Sequence, residues 1–221
     1  MGTKGGRSAR AALLLTALAA AAALPASAVE LGLGIRAGTY GLGADLGLAI
    51  TERFGVRVAA SALDVSTDYD ETGIDYDADV ELGGLGAFAD WYPSRQGGFR
   101  VSAGVLSNRN EVGLTAVATD PVTIGDDVYP PEVLGSVFGT VEFDDTVPYL
   151  GIGWGRFAGE KKVGFLFDLG VLSQGAGEVT LSSSTGIVDP ADLEAEAARI
   201  EEDIEDYELW PVLSVGLVIR F

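Results

Sequence analysis

This sequence predicts an all-β fold, in the form of an eight-stranded antiparallel transmembrane β-barrel. Three observations carry the prediction: a two-residue period of hydrophobicity along most of the chain, connections that sort into short and long, and an apolar leader. The chain has 221 residues, 31 of them Gly, with 33 acidic and 14 basic residues and a net charge of −19. That length suits one domain. Cys and His are both absent. Disulfides, thiolate chemistry, His-based acid–base catalysis and the usual zinc sites are excluded with them. The negative charge argues against nucleic acid, whose phosphates it would repel. No cofactor is expected.

Residues 1–28 read as a secretory signal peptide. Lys4, Arg7 and Arg10 form a basic start, and Ala11 to Leu24 is built only from Ala, Leu and one Thr. Pro25-Ala26-Ser27-Ala28 then places small residues where a signal peptidase cleaves. The 14-residue apolar run is short of the ~20 residues a spanning helix needs. Cleavage after Ala28 leaves 193 residues, 29–221, and lowers the net charge to −22.

From there the elements follow in order. Val29, Leu31, Leu33, Ile35 and Ala37 alternate with Glu30, Gly32, Gly34 and Arg36, predicting a first strand. After Thr39-Tyr40 the phase switches to Leu42, Ala44, Leu46, Leu48 and Ile50, as across a tight hairpin. A turn at 51–53 leads into Phe54, Val56, Val58, Ala60 and Ala62. An acidic stretch, 64–73, reads as a loop before a fourth strand from Ile74 to Tyr92. A turn at 93–98 precedes Phe99, Val101, Ala103 and Val105. The Pro-containing segment 110–144 reads as a long loop, followed by a strand from Thr146 to Phe157. A turn at 158–162 leads to Val163, Phe165, Phe167, Leu169 and Val171. A third long segment, 175–206, precedes the last strand, Leu213 to Phe221. Short turns at one end and long loops at the other, with the two-residue connection at 39–40 as the exception, are the layout of outer-membrane barrels, with the short turns periplasmic and the loops extracellular.

In such a barrel the apolar face meets lipid and the other face lines the lumen. The face opposite the apolar one is Gly-rich and carries Arg36, Asp45, Arg57, Asp79, Glu81, Arg100, Asp168 and Arg220. These are the expected lumenal charge network. A soluble, lipocalin-like barrel shows the same period. Aromatics at the strand ends favour the membrane form. Phe54, Trp91, Tyr92, Phe99, Trp154, Phe157 and Phe221 fall near the short turns, and Tyr40, Tyr76, Tyr149 and Trp210 near the loops, as two girdles.

Val215-x-Leu217-x-Ile219-x-Phe221 resembles the carboxy-terminal pattern of Gram-negative outer-membrane β-barrels. Asp90-Trp91-Tyr92-Pro93, the stretch Gly97 to Gly104, and Pro148 to Gly155 resemble small outer-membrane proteins of the OmpA/OmpW/OmpX type. The resemblance implies an outer-membrane location and reading of Phe221 by the barrel-assembly machinery. It implies no one activity, because the architecture hosts several.

Asp68, Asp70, Asp75 and Asp77 are weak candidates for a hard-cation site, since closely spaced carboxylates suit Ca²⁺. They depart from the EF-hand pattern, and a solvated acidic hairpin is the plainer reading. Asp189-Pro190, followed by acids and by Leu193, Ala197, Ile200, Ile204 and Tyr207 at helical spacing, predicts a capped loop helix over about 190–206. The expected role is non-enzymatic: an envelope structural protein or a small porin. A narrow cation-preferring pore is the alternative, and a lipid-modifying enzyme the last. The expected surroundings are outer-membrane lipid, lipopolysaccharide and divalent cations at the acidic loops, around a monomer.

Overall fold

The computed structural model describes residues 30–71, 74–125 and 127–221, the side chains of 69–71 excepted. The proposed signal peptide lies outside these residues. Thirteen strands are present among those described: β1 Glu30–Gly38, β2 Gly41–Ala49, β3 Phe54–Glu71, β4 Ile74–Trp91, β5 Phe99–Asn108, β6 Glu111–Ala118, β7 Val122–Ile124, β8 Asp127–Tyr129, β9 Ser136–Glu142, β10 Thr146–Trp154, β11 Val163–Ser173, β12 Glu178–Ser183 and β13 Leu209–Arg220. Two helices join them, α1 Pro131–Leu134 and α2 Pro190–Asp203, the second followed by a 3₁₀ turn, Glu205–Glu208.

Eight strands close on themselves in the order β1-β2-β3-β4-β5-β10-β11-β13, every pairing antiparallel. They are the eight that the alternation predicts. Two of them run further than expected. β3 and β4 are 18 residues each, so 64–71 is strand and the acidic stretch is the upper half of a long hairpin. Alternating Asp with small or apolar residues kept the strand period, but its charge density resembled a solvated loop.

Above the ring β4 changes partner. Residues 84–91 pair with β5, whereas 74–81 pair with β6. Gly83 and Gly84 sit at the switch with φ of 153° and 158°. A Cβ on either would lie 2.4 Å from Ser61 O or 2.1 Å from Ser107 O, so both neighbouring strands demand glycine there. Beyond it, the upper halves of β3 and β4 continue into β6, β9 and β12 as a five-stranded extension. The segments read as long loops, 110–144 and 175–206, therefore supply three strands, the β7–β8 hairpin and both helices.

The helix falls where predicted. The Asp189 side chain accepts a hydrogen bond from Ala191 N at 2.9 Å, and Pro190 opens the first turn. Leu193 joins a small core with Ala118, Ile124, Leu134 and Val188, and Ala197 is buried. This core fastens α2 and the β7–β8 hairpin to the tip of the extension.

The ring's burial is inverted. Leu33, Ile35, Leu150, Phe165 and Leu217 are exposed on its outer face, while Asp45, Arg57, Asp90, Arg100 and Asp168 are buried within. An apolar belt of this extent exceeds what a soluble monomer presents to water. Phe54, Trp91, Phe99 and Trp154 are outward at one level near the short turns, with Phe54 opposite Trp91 and Phe99 opposite Trp154. The second expected girdle does not form from the residues named for it: Tyr40 and Tyr149 are buried inside the ring and Tyr76 lies on the extension. Tyr92 and Phe157 likewise point inward. A buried Tyr needs a partner for its hydroxyl, and that of Tyr40 lies 2.7 Å from both Gly83 O and Asn108 Oδ1.

Candidate functional site

The ring interior holds three layers. At the extension end Tyr40, Phe88, Leu106, Val147, Tyr149, Leu172 and Val212 form an apolar plug, with Trp210 against it. At the turn end Phe157, Leu166 and Val218 form another. Between them lies an ionic layer of three Arg and three Asp.

Arg57 is at its centre. Its Nε donates to Asp90 Oδ2 and its Nη1 to Asp45 Oδ1, both at 3.3 Å, and Nη2 lies 3.6 Å from Asp168 Oδ1. Its guanidinium stacks 4.4 Å from the Phe88 ring centre, a favourable cation–π contact in a desolvated site. Arg100 donates through Nη2 to both oxygens of Asp168 at 2.8 Å and through Nη1 to Gly155 O at 2.7 Å. Arg36 completes the set, 3.6 Å from Asp45 Oδ1. Ser102 donates to Asp90 Oδ1. Paired and hydrogen-bonded charges are the condition on which charge is buried at all.

Glycine makes room for these side chains. The register sets Arg36 opposite Gly43 and Gly216, Asp45 opposite Gly34, Arg57 opposite Gly47, and both Arg100 and Asp168 opposite Gly153. An eight-stranded ring leaves space only for side chains to fill, so each long cation needs a neighbour without one. The space beside Gly47 is taken further: a Cβ there would sit 2.2 Å from the Phe157 ring. Small cavities remain, of about 20 Å³ beside Arg36, Arg57 and Tyr149, and of about 10 Å³ beside Asp90, Tyr92 and Arg156. Each has room for about one water. Little space is left beside the ionic layer.

Of the eight charges expected in the lumen, Arg36, Asp45, Arg57, Arg100 and Asp168 meet in this layer. Asp79 and Glu81 do not. They are exposed on the extension, in phase with the outward-facing residues Leu85 and Ala87. The inward face of β4 carries Phe88 and Asp90 below Gly83, and Tyr76, Ala78 and Val80 above it. The polarity of the two faces therefore exchanges where the strand leaves the ring, which is why the apolar period of 74–82 pointed to the wrong side. Asp90 is the residue that sequence reasoning missed, and its phase with Gly84, Gly86 and Phe88 was the available signal. Arg220 serves the turn end instead. Its Nε donates to Arg156 O at 2.9 Å and its Nη1 to Lys161 O at 2.7 Å, holding the 155–162 turn. Arg156 in turn donates to Ser94 O, Gly97 O and Glu52 O, tying three short turns together.

Asp68 lies directly opposite Asp77 on the outward face of the hairpin, and the backbone of Asp70 pairs with that of Asp75. The side chain of Asp70 is outside the described set. Among the described residues no three carboxylates converge on a point that a metal ion could occupy. Phe221 donates its backbone N–H to Leu31 O at 2.9 Å, with its ring exposed at the turn end of the outer face.

No protein-family model and no curated protein matches the chain. Solved structures do. The crystal structure of Acinetobacter baumannii CarO2 aligns with a TM-score of 0.59 at 23% identity, covering 87% of this chain and 98% of that one. Acinetobacter baumannii CarO gives 0.57 at 24%, with the same coverage. A major outer membrane protein from Thermus thermophilus aligns at 0.45 and 16% identity over 88% of this chain and 100% of its own, a likeness too slight to weigh. The shared feature with the two CarO structures is the fold.

Proposed function

We propose that this protein is a non-enzymatic outer-membrane β-barrel whose ring spans the bilayer as a sealed plug and whose extension stands outside the cell. The inverted burial carries the reading: an apolar belt outside, and a charge-balanced layer of Arg36, Arg57 and Arg100 with Asp45, Asp90 and Asp168 inside. Closed rings are one of two architectures that satisfy every backbone group in lipid. Eight strands of roughly ten residues match the hydrocarbon thickness once tilted. The aromatic level of Phe54, Trp91, Phe99 and Trp154 sets the periplasmic interface, and the outward change from Ala62 to Asp64 sets the other.

Membrane lipid and lipopolysaccharide are the surroundings this reading requires, with divalent cations between lipopolysaccharide phosphates and the acidic extension. The barrel-assembly machinery is the partner for Phe221, and a single chain completes the ring, so a monomer suffices. The role that fits a filled lumen is structural, or one exercised through the extension. The 20 Å³ cavity above Arg57 favours one second reading, a narrow cation-preferring pore that opens when the ionic layer parts.

Fractionation tests the location. The mature protein should sediment with the outer membrane and migrate faster unheated than boiled in a detergent gel. Recovery as a soluble periplasmic protein would contradict it.

A further inference from the structure

Among the described residues the outer edge of β3 is unpaired above the ring. β2 pairs with β3 only as far as Ala62, and the β1–β2 turn ends there, since a Cβ on Gly41 would lie 2.8 Å from Leu63 Cβ. From Leu63 to Glu71 β3 pairs with β4 on one side and, among the described residues, with nothing on the other. An edge of this length presents a row of free backbone donors and acceptors, which accept an added strand. The opposite edge of the extension is not equivalent, because Glu201 of α2 accepts from Val179 N at 2.9 Å.

The two faces beside the free edge differ. Leu63 and Val65, with Val80 and Leu82 opposite them, continue the inward face, and Val65 is 47% exposed. On the outward face Asp64 lies opposite Glu81, Ser66 opposite Asp79 and Asp68 opposite Asp77. The row through Asp64 and Glu81 goes on across Glu111, Glu142 and Glu178, five strands wide. Like charges placed directly opposite oppose strand pairing, and no Lys or Arg lies on β3, β4, β6, β9 or β12 within the extension. A second copy of the same edge would bring more carboxylates to this face.

We propose that residues 63–71 of β3 are a docking edge for an extended, amphipathic strand of a partner polypeptide bearing Lys or Arg on alternate positions. Its backbone continues the sheet, its apolar side chains meet Leu63 and Val65, and its cations meet Asp64 and Asp68. The barrel reading enters only in placing this edge outside the membrane; binding in detergent tests the edge itself.

The probes are three short fluorescent peptides: alternating Val and Lys, alternating Val and Glu, and the Val/Lys peptide with alternate backbone nitrogens methylated. Binding is measured on the mature protein in uncharged detergent micelles. The Val/Lys peptide should bind at least about tenfold tighter than either control, and should slow amide exchange within 63–68. The variant D64K/D68K should reverse the preference between Lys and Glu. Equal binding of the methylated peptide would reduce the effect to charge attraction and overturn the docking edge, as would protection that leaves 63–68 unchanged. The exchange result on the unsubstituted protein stands even if D64K/D68K does not fold.

Discussion

Arg100 and Asp168 flank one glycine. Each lies directly opposite Gly153 of β10, Arg100 on β5 and Asp168 on β11, and the guanidinium passes over the glycine to hold both carboxylate oxygens at 2.8 Å. Two strands that do not pair with each other are thereby joined across a third. One nitrogen, Nη2, serves both oxygens while Nη1 is held by Gly155 O, and hydrogen bonds between ionised groups are the stronger kind.

Gly153→Val should break that bridge. Its Cβ would lie 2.6 Å from Phe167 O, 3.0 Å from Asp168 Oδ1 and 3.1 Å from Arg100 Cζ. Overpacking of this kind typically costs about 1–3 kcal/mol. Urea unfolding in lipid should show a loss of that order, and Val at outward-facing Ala103 should show almost none.

Removing one partner of the ionic layer should cost more than the pair is worth. Arg57→Ala takes the nearer cation from Asp45 and Asp90, leaving them Arg36 at 3.6 Å and Arg100 at 3.8 Å. Arg100→Ala leaves Asp168 with Arg57 at 3.6 Å. Either variant leaves one carboxylate in excess between two apolar layers. Unpaired buried charge typically costs ~3–5 kcal/mol. Urea unfolding in lipid reads each variant. Two near-neutral results would mean that water fills the ring and that the layer lines a channel.

The ring strands were readable because an outward-facing apolar residue and a Gly or charge alternate along each of them, as in Leu33-Gly34-Ile35-Arg36. The extension was not, because its signal reverses. In β4 the even residues are apolar from Ile74 to Leu82 and remain inward, yet they alternate with Asp75, Asp77, Asp79 and Glu81 as a lipid-facing strand would with its lumenal side. The pattern gives the period and not the side. Asp45, Arg57, Arg100 and Asp168 could be found because they interrupt Gly-rich faces. Their partnership with Asp90 depends on which strands become neighbours, which local sequence does not encode.

Acid should order the tip of the long hairpin. A hydrogen bond with Asp68 is the chief cause raising the Asp77 carboxyl above its ordinary value, and the surrounding carboxylates add to it. A raised value in the folded state means that folding favours the protonated form. That contribution is full below the ordinary carboxylate value of about 4 and is lost as pH rises through the raised one. Amide exchange within 64–68 and 76–81, corrected for intrinsic rate, should therefore be slower in mild acid than at neutral pH. Asp77→Asn should remove the dependence, and equal protection at both pH values in the unsubstituted protein would contradict the shared proton.

Phe221 should matter to assembly more than to the folded ring. Its backbone N–H donates to Leu31 O and the residue is 77% exposed. Deleting it should lower the amount of folded, heat-modifiable protein in cells, whereas deleting exposed Glu160 should not. Equal yields would remove Phe221 as an assembly signal.

Conductance tests the sealed barrel most directly. Residues 29–221, refolded and inserted in planar bilayers with insertion verified by protease protection, should give no steps above the bare-membrane baseline. Two apolar layers, around Tyr149 and around Phe157, bracket Arg57 and Arg100. Steady ohmic channels from the unsubstituted protein would contradict the sealed barrel.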